Sequence, residues 1–229
     1  MSVSNENSLS SSQASDSVVQ AARRLREETA PYWVSKQLPW RLPRTPYRVF
    51  LAEFLLIRTR ANAVAEIFEE VVAAYPDLNS LASADERHLA STLKSLGLKK
   101  RVPLLIRAAQ YLMEQHEGQV PEKVEDLLEV PGLGLYTSVA IAAFAYDSGE
   151  VPADVNIMRF LSRLTGLPMG HPTKGSNDLR ALLPLLSQDM GGPEPESLLD
   201  FSRTICGPWR PRCSECPIRI DCSYFASTV

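Results

Sequence analysis

The sequence predicts an all-α protein, on three observations. Apolar residues recur at helical spacing through "TPYRVFLAEFLLIRTRANAVAEIFEEVVAAY" and "KRVPLLIRAAQYLMEQHEG". Helix-start and helix-stop residues bracket these runs: Thr45 and Pro46 before the first, Gly118 after the second. No alternating apolar–polar pattern competes with them. The 229 residues can bury a substantial core, as one large domain or two small ones. An apolar share of 45% with 22% charged residues excludes a disordered chain, and no apolar run reaches the roughly 20 residues that span a bilayer.

The elements follow in order. The start, "MSVSNENSLSSSQASDS", is Ser-rich with little to bury, and lacks the basic and apolar blocks of a secretory signal. It reads as a disordered tail over 1–17. Beyond the long helical run, Ser83 and Glu86 have capping-box spacing and open a helix that Gly97 would end. Pro121 opens the short helix "EKVEDLLEV", which stops at "PGLG". The small-residue helix "YTSVAIAAFAY" restarts at once, and after the loop "DSGEVPADV" comes "NIMRFLSRLTG". Helices around 176–189 and 194–205 precede the cysteines, and there is no internal repeat.

All four cysteines fall in "CGPWRPRCSECPIRIDC", with gaps of six, two and five residues. In a chain without a secretory signal, such clustering points to metal ligands rather than disulfides. Zinc is one candidate, but zinc sites usually pair their ligands as two short knuckles, and only Cys213 and Cys216 are so spaced. The histidines, His88, His116 and His171, are scattered and form no site of their own. The net charge of −3 is unlike a generic nucleic-acid binder, yet its distribution is uneven. Lys94, Lys99, Lys100, Arg101 and Arg107 run without an acid among them, and Arg203, Arg210, Arg212 and Arg219 surround the cysteines. Each run reads either as a solvated face or as a phosphate-contacting patch.

Three further features carry chemistry. In "LLEVPGLGLYTSVAIAAFA" the chain turns through Gly132 and Gly134, and the new helix opens with unpaired amides that suit one phosphate oxygen. The plainer reading is an ordinary helical corner. Asp154 precedes a helix, where it is either an N-cap or a carboxylate held against a developing sugar cation. Glu53 lies in "RVFLAEFLLIR", apolar on nearly all sides. Burial disfavours its charged form and suits it to donate a proton, unless a structural ion pair holds it.

Taken together, "LPWR", "TPYRVFLAEFLL", "SLGLKKR", "VPGLGLYTSVAIAAFA", "ADVNIMRFLSR" and the cysteine block resemble the helix–hairpin–helix DNA glycosylases with a [4Fe–4S] cluster. That superfamily includes endonuclease III, the mismatch adenine glycosylase and the archaeal G/T mismatch thymine glycosylase. The likeness covers about residues 38–225 in family order. It implies a two-lobed all-α fold, with a six-helix barrel over 45–149 and a cluster lobe from 18–44 and 150–229. The cluster loop spans 206–222, with Cys206, Cys213, Cys216 and Cys222 as ligands. Double-stranded DNA with a mispaired or damaged base would lie across the cleft, the target base flipped out.

Position by position, the resemblance implies that Asp154 stabilises the oxocarbenium-like sugar and that Glu53 is the pocket glutamate. Gly132, Leu133, Gly134 and Thr137 match the phosphate-binding hairpin. Leu98 and Arg58 fall at or near positions where relatives insert a side chain into the base stack. Lys100, Arg101, Arg210 and Arg212 would meet phosphates.

Tyr136 departs from the bifunctional members, whose lysine there forms a Schiff base and permits strand cleavage. A phenol cannot form an imine, so a monofunctional base excision repair enzyme is expected, without efficient abasic-site lyase activity. Tyrosine at this place and "EFLLIRT" resemble the G/T mismatch thymine enzyme. The chain ends soon after Cys222, so the extra domain of adenine glycosylases that checks 8-oxoguanine is expected to be missing. Thymine or uracil opposite guanine is the expected substrate. Adenine opposite 8-oxoguanine or guanine is the alternative, and a non-catalytic DNA-binding iron–sulfur protein the rival from another class. A monomer in the cytoplasm, associated with the nucleoid and not with a membrane, is expected.

Overall fold

Helices alone make up the regular structure of the computed structural model, which describes residues 11–28, 38–170 and 176–228. Among the described residues none is in a strand, and no helix is long and apolar enough to cross a membrane. The chain divides into two compact units: Gln37–Ser148, and Met1–Lys36 with Gly149–Val229.

The first unit holds α2 (Pro46–Leu56), α3 (Ala61–Ala74), α4 (Leu78–Ala82), α5 (Glu86–Thr92), α6 (Val102–Gln115), α7 (Val124–Glu129) and α8 (Leu135–Tyr146). Thr45 and Pro46 start α2 as expected: the Thr45 hydroxyl accepts from the Arg48 amide at 3.3 Å, and proline fills the first helical position. Every residue from Arg48 to Leu55 is buried, so α2 runs through the middle of its unit and packs on α3 and α8. Trp40 joins the same core, edge-on to Phe68 at 5.3 Å. The segment from 38 therefore belongs here, not with the cysteine-bearing unit as the expected boundary at 45 had it.

The predicted capping box at Ser83 and Glu86 does not form. Asp85 caps α5, accepting from the His88 amide at 2.8 Å, whereas the Ser83 hydroxyl donates to the Asn79 carbonyl at the end of α4. The helix starts two residues later, where a carboxylate supplies its own cap. Gly97, at φ +69°, ends a 3-10 turn over Lys94–Leu96, since α5 has already stopped at Thr92.

The second unit holds α1 (Ser11–Glu28), α9 (Val155–Thr165), α10 (Asn177–Ala181), α11 (Pro195–Thr204) and α12 (Ser223–Ala226). Residues 11–17 were expected in a disordered tail and are instead the start of α1; residues 1–10 lie outside the described residues. Ala14, Val18, Ala21, Ala22 and Leu25 form one buried stripe at helical spacing, and Ser12, Gln13, Asp16 and Gln20 are exposed. The region expected as one helix at 176–189 is α10 followed by 3-10 turns at Leu183–Leu186 and Gln188–Met190. The centre of this unit is α9, which packs on α1, α11 and α12, with Phe160 edge-on to Phe201 at 5.7 Å.

Candidate active site

The hairpin is built on one glycine that a side chain would strain. Leu133 donates its amide to the Val130 carbonyl at 3.1 Å, closing a turn with Pro131 second and Gly132 third, at φ +90°. That is the type II pattern, which reserves its third place for glycine. A Cβ at Gly132 would also stand 2.7 Å from Leu104 and 3.2 Å from Phe54, so the turn sits tightly against α6 and α2. Gly134 differs from expectation: its φ of −109° suits any residue, and a Cβ there meets nothing within 4 Å. Its value is clearance. It caps α8 with no side chain, and the first helical bond is the Ser138 amide to the Gly134 carbonyl at 2.9 Å. The amides of the first turn, Leu135 to Thr137, thus open outward from the helix end. Leu133 supplies none of this, since its amide closes the turn and its side chain is in the core. The Thr137 side chain is buried as well, so only its amide belongs to the opening.

Glu53 stands on α2, one residue before the Phe54 that packs beneath Gly132, and is 6% exposed. Tyr136, in the first turn of α8, is 39% exposed beside a half-exposed Leu135. The same unit carries four of the expected DNA-contact residues, Leu98, Arg101, Arg58 and Lys100. Leu98 is 7% exposed and is part of the core, rather than a projecting wedge. Arg101 donates to the Ile57 carbonyl, tying its 3-10 turn to the end of α2. Arg58, held at φ +57° just after that carbonyl, is exposed, as is Lys100.

In the other unit, Asp154 is both cap and candidate catalyst. One oxygen, Oδ1, accepts from the Asn156 amide at 2.6 Å and from its side-chain nitrogen at 2.7 Å. Oδ2 has no hydrogen-bond partner among the described residues. The Asn156 side-chain oxygen in turn accepts from Arg159 at 2.9 Å, and Arg159 also donates to the carbonyls of Cys206 and Ser202, each at 3.0 Å. A continuous relay therefore runs from the carboxylate to the backbone of the first cysteine. Burial lowers the Arg159 pKa, opposed by attraction to Cys206 and Asp154.

Arg163, one turn further on, donates to the carbonyls of Cys206, Gly207 and Pro208 and lies 3.4 Å from the Cys206 sulfur. Arg159 and Arg163 were not picked out from the sequence. Their signal was there: two arginines four apart on a helix whose other face is apolar.

All four cysteines line one pocket, open to solvent, with Phe160, Phe201, Ile205, Ile218 and Tyr224. Burial pushes the Cys216 thiol up to about 11 and raises Cys222 as well. Among the described residues no three His, Cys, Asp or Glu side chains converge closely enough to chelate a single ion. The sulfurs frame a space instead of a point. Arg212 pairs with Glu215 at 3.2 Å, while Arg210 stands exposed.

The HhH-GPD model, described as a superfamily of base excision DNA repair proteins, matches residues 51–185. The thymine-DNA glycosylase of Aeropyrum pernix is 32% identical over 90% of this chain and 95% of its own. A thymine/uracil-DNA glycosylase of Methanothermobacter thermautotrophicus is 29% identical over 83% of this chain and 87% of its own. A solved thermostable thymine-DNA glycosylase superposes with a TM-score of 0.77 at 25% identity, covering 94% of this chain and 98% of that one.

Proposed function

The chain belongs to the HhH-GPD superfamily of base excision DNA repair proteins, and on that footing we propose that it is a monofunctional DNA glycosylase, removing thymine or uracil opposite guanine. The observation that carries the reading is Asp154: a carboxylate held rigidly by one oxygen, with the other left to face a substrate. An N-glycosidic bond breaks by departure of the base from a sugar that gains positive charge. A fixed anion stabilises that charge without having to reorganise.

The open amides of α8 hold a backbone phosphate, which positions the duplex without reading its sequence. Glu53 would hydrogen-bond or protonate the departing base, the role its place in the family pattern implies. Tyr136 cannot form an imine, so the product is an abasic site in an intact strand. Relatives named for thymine and uracil support the pyrimidine assignment. The buried Glu53 also suits protonation of a departing adenine, which keeps adenine as the second reading.

Cys206, Cys213, Cys216 and Cys222 would hold a [4Fe–4S] cluster. Four thiols around one cavity suit a body wider than a single ion, and the arginines donating into the loop suit thiolates. When bound, the cluster would staple the loop in place. Purified protein should then be brown, absorbing broadly near ~400 nm; a colourless protein with stoichiometric zinc would refute the assignment.

Activity is tested on duplexes bearing G·T, G·U, adenine opposite 8-oxoguanine, and hypoxanthine. Strand breaks from G·T and G·U only after alkali are expected. Breaks without alkali would overturn the monofunctional reading, and breaks only opposite 8-oxoguanine the pyrimidine one.

A further inference from the structure

Trp209 is 93% exposed, a whole indole in water, although tryptophan is among the more buried residue types. Its loop is not slack. Arg163 donates to three successive carbonyls just before it, those of Cys206 at 3.0 Å, Gly207 at 2.7 Å and Pro208 at 2.9 Å. Behind it, the Arg212 amide donates to the Ile205 carbonyl at 2.8 Å and closes the loop. Pro208 and Pro211 bracket Trp209 and Arg210, and proline narrows the backbone at both places. The backbone on both sides of the ring is thus held by specific contacts. A loop held this way gives up little backbone entropy when it binds.

Charge indicates the occupant. Arg210 beside the ring is exposed, and so is Arg219. The acids nearby are engaged: Glu215 pairs with Arg212 at 3.2 Å, and Asp221 with Arg24 at 2.9 Å. An apolar platform with uncompensated positive charge fits a polymer of anionic phosphates and flat bases. We propose that Trp209 is a DNA contact, its indole packed on the base and sugar surface of the duplex while Arg210 meets the adjoining phosphate. This rests on DNA as the ligand, and adds an aromatic anchor that arginine–phosphate pairing alone does not supply.

The test uses Asp154→Asn protein, which would hold a G·T duplex uncut, and follows tryptophan emission during titration. DNA should shield the exposed indole from acrylamide, and that change should vanish in Trp209→Phe, whose affinity stays within about twofold because an aromatic ring remains. Trp209→Ala should weaken binding about tenfold with the salt dependence unchanged. Arg210→Ala should lower the slope of log affinity against log salt by about one. An indole equally open to acrylamide in DNA-saturated protein, or wild-type affinity in Trp209→Ala, overturns the proposal. Shielding that grows with protein concentration alone, with a doubled sedimenting mass, assigns the ring to self-association and overturns it too. Base release by the wild-type protein is read in parallel; its absence with DNA binding intact would sink the proposed activity and leave the Trp209 contact standing.

Discussion

Two helices of this protein begin in opposite ways. At α8 the cap is Gly134, which offers no side chain, and the amides of the first turn stay open. At α9 the cap is Asp154, whose own carboxylate fills the helix end. Both ends present the same unsatisfied N–H groups and the same positive end of a helix dipole. At α8 the group that satisfies them must come from outside, which leaves the end open to water or an anion. At α9 the anion is built in, and only one of its oxygens is used. One motif thus yields an open helix end in one unit and an oriented carboxylate in the other.

The largest effect should come from Asp154→Asn. Asparagine caps a helix about as well as aspartate, so the melting temperature should hold while single-turnover base release falls by roughly 10²–10³-fold. Unchanged base release would reduce Asp154 to a cap. Gly132→Ala attacks the turn that sets up the other helix end. Its positive φ and the 2.7 Å approach to Leu104 should cost about 1–3 kcal/mol in denaturant unfolding, with weaker DNA binding.

Gly134→Asp makes α8 begin as α9 does, and it is the sharper experiment. The new carboxylate should stabilise the helix by only a few tenths of a kcal/mol, yet DNA affinity should drop by at least about tenfold as the helix end fills. Retained affinity would mean that no phosphate sits there. Smaller still, Arg159→Gln should lower kcat several-fold with KM nearly unchanged, because it loosens Asn156 and through it Asp154. Combined with Asn156→Ala, the losses should be less than additive, as expected for members of one relay.

Much of the α9 end was legible in the chain itself. Asp before an amphipathic run, with Gly166 after it, marks both ends of that helix by local chemistry, and the structure has Gly166 at φ +76° closing it. Gly132 was legible for the same reason, because Pro-Gly calls for a type II turn whatever surrounds it. The role of Gly134 was not, since its φ is ordinary and its value is empty space next to it. The burial of Leu98 and the bond from Arg101 to a carbonyl 44 residues away were not legible, because neither leaves a trace in local pattern.

The division of labour follows from the range of the forces involved. Helix starts, the type II turn, the spacing of the thiols and the apolar stripes depend on residues within a few positions of each other, so the order of residues settles them. Which unit Trp40 joins, how Arg159 ties Asp154 to Cys206, and that Trp209 stands in water depend on contacts between distant segments. Packing of the whole chain decides those, because a buried hydrogen-bond partner or a covered ring face is supplied by whatever the fold brings alongside.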